Sequence, residues 1–184
     1  MTQPTMPKDL RVLISADQIQ KRIAELGRQI SVDYRGKAVH AVCVLENGFM
    51  FMSDLVRHLD MPVACSFIKP LSRDITHRET PTREIAFSPE IDVRGHHVLL
   101  VEGIVQSGVT SDFLIRNMAG RGAASVKLAV FLDKSSSRMT DLKPDYFGFV
   151  IDSAYVIGYG LGGPDHGRNL PHVATNAKKA VAIH

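Results

Sequence analysis

Apolar residues recur along this chain in two rhythms. Between Ser15 and Gly36 the rhythm is helical: Ile19, Ile23, Leu26 and Ile30 stand four, three and four apart, one stripe on one face. Ser15 ahead of that stripe and Gln18 three residues on predict a capping box at its start. Residues 1–10 read as a loose arm, and Gly36 ends the region. The second rhythm is the short continuous run. Ala38–Leu45 (AVHAVCVL) suits a strand buried on both faces. Glu46-Asn47-Gly48 is a turn, Phe49–Leu59 has a helical pattern stopped by Pro62, and Val63–Ile68 is a second strand. His97–Glu102 and Val126–Leu132 are further strands, with a helix over Ser107–Met118 between them that Gly120–Gly122 closes. Tyr146–Ile151 and Tyr155–Tyr159 are short strands near the end. Strands alternating with helices predict an α/β fold, a mostly parallel sheet with helices on both faces and right-handed crossovers.

Lys69–Asp92 breaks both rhythms. It is polar and carries Pro70, Pro81 and Pro89. It reads as a long surface excursion with room for short edge strands.

Composition narrows the classes. The 184 residues fit one domain, 1–184, and 45% apolar with 22% charged residues is a globular balance. Lys plus Arg number 22 against 19 acids, an excess too diffuse to argue for nucleic acid. Cys43 and Cys65 both sit in apolar runs and not in a CxxC pair, so reduced, buried thiols are expected. Met1–Asp9 lacks an apolar signal region, and no apolar stretch approaches a membrane span. The expectation is a soluble, cytoplasmic protein without a membrane partner.

The strongest chemical signal is His97–Thr110, HVLLVEGIVQSGVT. An apolar strand ends in an acid, a small-residue turn follows, and a helix begins. Ligands in open α/β sheets bind beyond the carboxyl ends of strands, and a helix start offers unpaired N–H groups to an anion. Ser107 and Thr110 add hydroxyls and Gly108 a permissive backbone. Spacing alone leaves two readings open: a phosphate cradle, or a plain strand–turn–helix with Ser107 as its N-cap. The segment is neither a P-loop nor a dinucleotide GxGxxG motif.

The same segment resembles the phosphoribosyl-diphosphate motif of type I phosphoribosyltransferases. The likeness runs over roughly residues 10–175. It includes Leu13-Ile14-Ser15, Val44-Leu45 leading to Gly48-Phe49, Phe51-Met52-Ser53-Asp54-Leu55 and Leu132-Asp133-Lys134. Lys143-Pro144-Asp145-Tyr146, Val156-Ile157-Gly158-Tyr159-Gly160-Leu161 and Arg168-Asn169-Leu170-Pro171 extend it. In order and spacing these are similar to bacterial hypoxanthine-guanine phosphoribosyltransferases. The resemblance implies a twisted, mainly parallel sheet under a small hood built from both termini. It also implies a purine base or nucleotide as ligand, a homodimer or homotetramer as assembly, and Mg2+ as cofactor if the chain is active.

Residue by residue, the resemblance implies that Lys134 hydrogen-bonds the 6-oxo group of a purine. Tyr155 stacks on the base, and Val156 offers backbone contacts. Glu102, Gln106, Ser107, Gly108, Val109 and Thr110 hold ribose and phosphate. Glu46, Asn47, Gly48 and Arg168 form the pyrophosphate region. Read without it, Lys134 is as readily a solvated loop lysine and Tyr155 a core ring.

The chain departs from the family where chemistry is done. Gln106 stands in place of an aspartate that acts as general base, and an amide accepts no proton at working pH. Gly103 replaces the second acid of the ribose pair, leaving Glu102 alone. Gly162 replaces a magnesium-binding aspartate, and Glu46 replaces a lysine. Magnesium requires hard oxygen ligands, and Glu102 and Asp165 are the carboxylates left near it. The excursion lacks the family's Ser-Tyr pair and carries Arg73, His77, Arg78 and Arg83 instead. Three functions follow as expectations. The first is a purine-nucleotide binder of IMP or GMP type with weak or absent turnover. The others are an active Mg-dependent transferase of purine salvage and a non-catalytic partner subunit. A response-regulator-like acidic cluster at Glu46, Glu102 and Asp133 fits less well, because Asn47-Gly48 follows Glu46.

Overall fold

The computed structural model describes residues 10–77, 80–86, 91–152, 155–162 and 167–175; over 71–77 and 80–86 the description is of the backbone. In chain order the elements are β1 (Arg11–Ile14), α1 (Ala16–Asp33), β2 (Val39–Val44), α2 (Phe49–Val56) and β3 (Val63–Ile68). Then come β4 (Leu71–His77), β5 (Thr80–Ala86), β6 (His97–Val105), α3 (Val109–Gly120) and β7 (Ser125–Asp133). The chain continues through β8 (Tyr146–Val150), β9 (Val156–Ile157) and β10 (Val173–Thr175).

Helix α1 forms where its stripe predicts. Ser15 Oγ accepts from the Gln18 N–H at 3.3 Å, and Gln18 Oε1 accepts from the Ser15 N–H at 2.9 Å, the reciprocal capping box. Such a cap contributes about 1 kcal/mol. Ile19, Ile23, Leu26 and Ile30 are all buried.

The central sheet is parallel with order β3-β2-β6-β7-β8. Its alternating side chains feed two cores. Ala41, Cys43, Leu99, Val101, Ala129 and Phe131 pack against α1 and α2. Val42, Val44, Leu100, Leu128 and Val130 pack against α3 through Leu114 and Met118. Each buried side chain of this size contributes about 1.5–3 kcal/mol. From β2 the chain steps outward to β3, and from β6 it steps the other way to β7 and β8. The sheet therefore reverses its winding between β2 and β6. The chain leaves the carboxyl ends of those two strands for helices on opposite faces of the sheet, α2 and α3, and the crevice lies at that point.

A second, antiparallel sheet of order β1-β10-β9 draws strands from near both ends of the chain. Tyr159, just past β9, joins it to the main body: its ring packs 4.8 Å from that of Phe131, and its hydroxyl donates to Asp54 Oδ2 at 2.5 Å.

Several expectations are corrected. Residues 11–14, for which the sequence pattern predicts no element, form strand β1, because β10 supplies their backbone partners from far along the chain. The excursion does hold the short strands for which it had room, as an antiparallel pair, β4 on β5, that forms its own sheet and not an edge of the central one. Arg73, His77 and Arg83 lie on its strands, and Arg78 lies outside the described residues. Strand β6 runs on to Val105, three residues past the expected end at Glu102, because β7 continues to pair with it at Ile104 and Val105. Helix α2 stops at Val56 and not at Leu59. Cys43 is buried but Cys65 is exposed, since β3 is an edge strand whose Phe67 is also 55% exposed.

Candidate nucleotide site

The turn after β2 and the turn after β6 meet at the crevice. The first, Leu45–Gly48, contains a cis peptide between Leu45 and Glu46. Gly48 is closely packed: a side chain there would meet the Val44 carbonyl at 2.8 Å and Cys43 Sγ at 3.0 Å. The Asn47 carbonyl lies over Gly103 of β6 so closely that a Cβ on residue 103 would overlap it.

The second turn, Gln106–Gly108, leads into α3. The helix starts at Val109 with Gly108 as its N-cap, at φ 79°, and not at Ser107. The reading of Ser107 as an ordinary N-cap fails on this geometry. Its hydroxyl lies 3.4 Å from the Val109 nitrogen, while its carbonyl accepts from Met139 N at 2.9 Å. Gly108 is required twice over. Its left-handed backbone disfavours any side chain, and a Cβ would meet Thr140 Oγ1 at 2.5 Å.

Two clefts open side by side here. The first, of about 290 Å³, is lined by Asn47, Ile104, Gln106, Lys134, Tyr155, Val156, Leu161 and Gly162. Its lining is mostly apolar. Tyr155 is 53% exposed and presents its ring, Val156 is buried, and Lys134 is a buried lysine whose pKa is drawn down by loss of solvent. The alternative readings of a solvated Lys134 and a core Tyr155 do not hold: the lysine is buried, the tyrosine is not. Thr175 Oγ1 donates to the Tyr155 carbonyl at 2.8 Å, so β10 holds the backbone that carries the ring.

The second cleft, of about 280 Å³, is more polar. Asn47, Glu102, Ile104, Val105, Gln106, Ser107, Gly108, Thr110 and Ser111 line it. It sits over the start of α3, where free N–H groups and the positive dipole end favour an anion. Val109 begins the helix but is not part of the lining. Asn47, Ile104 and Gln106 belong to both clefts and form the wall between them.

Glu102 is the unusual group. It is buried, and its Oε1 has no hydrogen-bond partner. Burial pushes its carboxyl up to about 7; the Ser111 hydroxyl and the Arg138 charge pull it partly back. Arg138 itself pairs with Asp133, also buried, and its Nη1 is a second buried atom without a partner. Gln106, by contrast, is exposed at the crevice.

Of the expected pyrophosphate region, Glu46, Asn47 and Arg168 lie together. Arg168 donates to Asn47 Oδ1 at 2.8 Å and to the Gly160 carbonyl at 2.5 Å. It also pairs with Glu46 at 3.2 Å, and Glu46 pairs with Lys69 at 2.7 Å. Lys69 went unnoticed in the sequence because it opens a polar segment. Its pairing across 23 positions leaves no local pattern.

Magnesium fits the described residues poorly. Glu102 is the one carboxylate lining the second cleft; Gly103 and Gly162 bring no side-chain oxygen, and Asp165 lies outside the described residues. Among the described residues no group of three His, Cys, Asp or Glu could hold a metal, and no helix is long and apolar enough to cross a membrane.

A doubly wound parallel sheet, a small antiparallel hood and paired clefts at the winding reversal define a type I phosphoribosyltransferase. Comparison with known proteins agrees. The phosphoribosyl transferase domain family matches residues 15–162. The chain is 34% identical to the hypoxanthine-guanine phosphoribosyltransferase of Bacillus subtilis, over 89% of this chain and 91% of that one. It is 37% identical to the hypoxanthine-guanine-xanthine phosphoribosyltransferase of Tritrichomonas foetus, over 93% and 94%. A solved hypoxanthine phosphoribosyltransferase from Staphylococcus aureus superposes with a TM-score of 0.83 at 31% identity, covering 91% of each chain. The chain belongs to the hypoxanthine-guanine phosphoribosyltransferase family.

Proposed function

We propose that this chain binds a purine nucleoside monophosphate of the IMP or GMP kind and transfers phosphoribose weakly or not at all. One observation carries the reading: an aromatic-and-lysine cleft and a helix-start cleft share a wall that ends in Gln106. A base fits between Tyr155 and the apolar wall, with Lys134 as donor to a carbonyl on its edge. A phosphate fits over the N–H groups of α3. An amide at 106 hydrogen-bonds but takes no proton, so binding survives while acid–base catalysis at that position does not. Thermal-shift titration with IMP, GMP and AMP tests the binding. Stabilisation that grows with ligand concentration supports it, and none at millimolar IMP or GMP rejects it.

The second reading is an active, Mg-dependent transferase acting on hypoxanthine or guanine. Family membership over nearly the whole chain favours it, as does the unpartnered oxygen of Glu102 beside the phosphate cleft. Formation of IMP from hypoxanthine and phosphoribosyl diphosphate, at rates usual for an enzyme, would establish it.

A further inference from the structure

The end of the central sheet away from both clefts carries a second group of donors. His40 is the second residue of β2, and His96 immediately precedes β6. Their Nδ1 atoms face each other at 3.3 Å. His96 Nδ1 also lies 3.2 Å from the Asp92 carbonyl oxygen. A carbonyl only accepts, so His96 Nδ1 carries the proton of this group and His40 Nδ1 is left as an acceptor. The proton of His40 is then on Nε2, which donates to Ser66 Oγ at 2.8 Å. Burial first, then the His96 ring, hold the pKa of His40 below its ordinary value; the carbonyl and the charge of Asp92 offset part of this.

The spacing of these atoms is that of a coordination shell. Two ligands at about 2.0–2.1 Å from one tetrahedral ion stand about 3.3–3.4 Å apart. The separation of the two Nδ1 atoms and that of His96 Nδ1 from the carbonyl both come close to this edge. The loop that presents the carbonyl is held on both sides. Asp92 Oδ1 accepts from the Arg94 N–H at 3.1 Å, the Val93 carbonyl from the His96 N–H at 3.0 Å, and the His96 carbonyl from the Ala124 N–H at 2.8 Å. Ser66 fixes the other ring through its far nitrogen, as partners of metal-binding histidines do. Asp92 and His96 are exposed, and both rings line a cavity of about 290 Å³ with Pro62 and Val63, so an ion can enter and keep a water as its fourth ligand. Because the third donor is a backbone oxygen, the group is not a trio of side chains and leaves no motif in the sequence.

We propose that His40 Nδ1, His96 Nδ1 and the Asp92 carbonyl form a site for a divalent transition-metal ion of the zinc kind, which clips the loop before β6 onto β2. Imidazole donors select zinc, nickel or copper over magnesium. On ligation the His96 proton leaves Nδ1 and Nε2 takes one up, so both Nδ1 lone pairs face the ion and the charge of the rings is unchanged. The site shares no residue with either cleft and does not depend on the nucleotide reading.

Calorimetric titration with Zn2+ tests the assignment. A tightest event of one ion per chain is expected. His96→Ala is expected to weaken it at least about tenfold, since even groups that only orient a ligand are worth about 10- to 100-fold in metal affinity. His40→Ala carries the same expectation, and His96, being exposed, keeps the test open if the buried position tolerates alanine poorly. His58→Ala, which alters an exposed histidine outside the group, is expected to leave the affinity unchanged. Zn2+ is also expected to raise the melting temperature of the unaltered chain and not that of His96→Ala. Absence of saturable binding below about 1 mM free Zn2+ overturns the proposal. So does binding undiminished in His96→Ala, or an equal loss in His58→Ala.

Discussion

The Asn47 carbonyl occupies the space that a side chain on Gly103 would need. The missing acid at 103 and the position of the turn after β2 are therefore one structural fact. With glycine at 103 the turn settles onto β6, and with any larger residue it must lift.

Returning an acid by Gly103→Asp is thus expected to strain the crevice before it adds any chemistry. Forcing a side chain into a packed position costs about 1–3 kcal/mol. Urea unfolding checks this; a Gly103→Asp chain as stable as the original would show that the turn moves freely.

Gln106 has room, because it is exposed at the mouth of both clefts. Gln106→Asp supplies a proton acceptor without repacking. If absence of a base limits turnover, IMP formation from hypoxanthine and phosphoribosyl diphosphate is expected to rise by about 10²-fold or more. No rise would place the limit elsewhere, with Gly103 and Gly162 the next positions to alter.

Glu102 makes stability depend on pH. Its carboxyl titrates near 7 in the folded chain, above its ordinary value of 4.5. The folded state therefore binds the proton more tightly than the unfolded one. The contribution of this group is fully present below about pH 4.5 and is lost as pH rises through about 7, by a total on the order of 3 kcal/mol. Glu102→Gln is expected to remove that loss, raising the melting temperature by roughly 6–12 °C at about pH 8 and changing it much less at about pH 5. A melting curve that shifts equally at both values would contradict this.

Tyr155 offers a half-exposed ring to the first cleft, where the proposed function seats a base. Stacking of a base on such a ring contributes about 1–3 kcal/mol, so Tyr155→Ala is expected to weaken IMP binding by about five- to 150-fold. Tyr155→Phe keeps the ring and is expected to stay within about threefold. Titration calorimetry with IMP measures both.

How much of this was legible in the sequence depends on how local each cause is. The capping box of α1 involves residues three apart, and both of its hydrogen bonds form. The central strands could be read because both faces of β2 and β6 are buried, which writes continuous apolar runs. Strand β1 was not legible, since its partner β10 lies near the other end of the chain. The end of β6 was misplaced because Glu102 and Gly103 look like a strand's end, yet Glu102 is buried and β7 pairs past it. At the site, Lys134, Tyr155, Val156 and Gln106 were named and do line one cleft. Glu46 and Arg168 were named as well, but Lys69 was not, because its hydrogen bond to Glu46 spans 23 positions and writes no local pattern.

The shared wall of Asn47, Ile104 and Gln106 has one more consequence. Two clefts lie side by side across it, each open to solvent. A free base or a free phosphate meets only one of them. A molecule that carries both groups on a short tether presents the second at millimolar effective concentration as soon as the first is seated. Avidity from that linkage can exceed either separate affinity by about 10²- to 10⁴-fold with no new contact. Under the nucleotide reading, the ribose between base and phosphate has to span the three residues that the two clefts share.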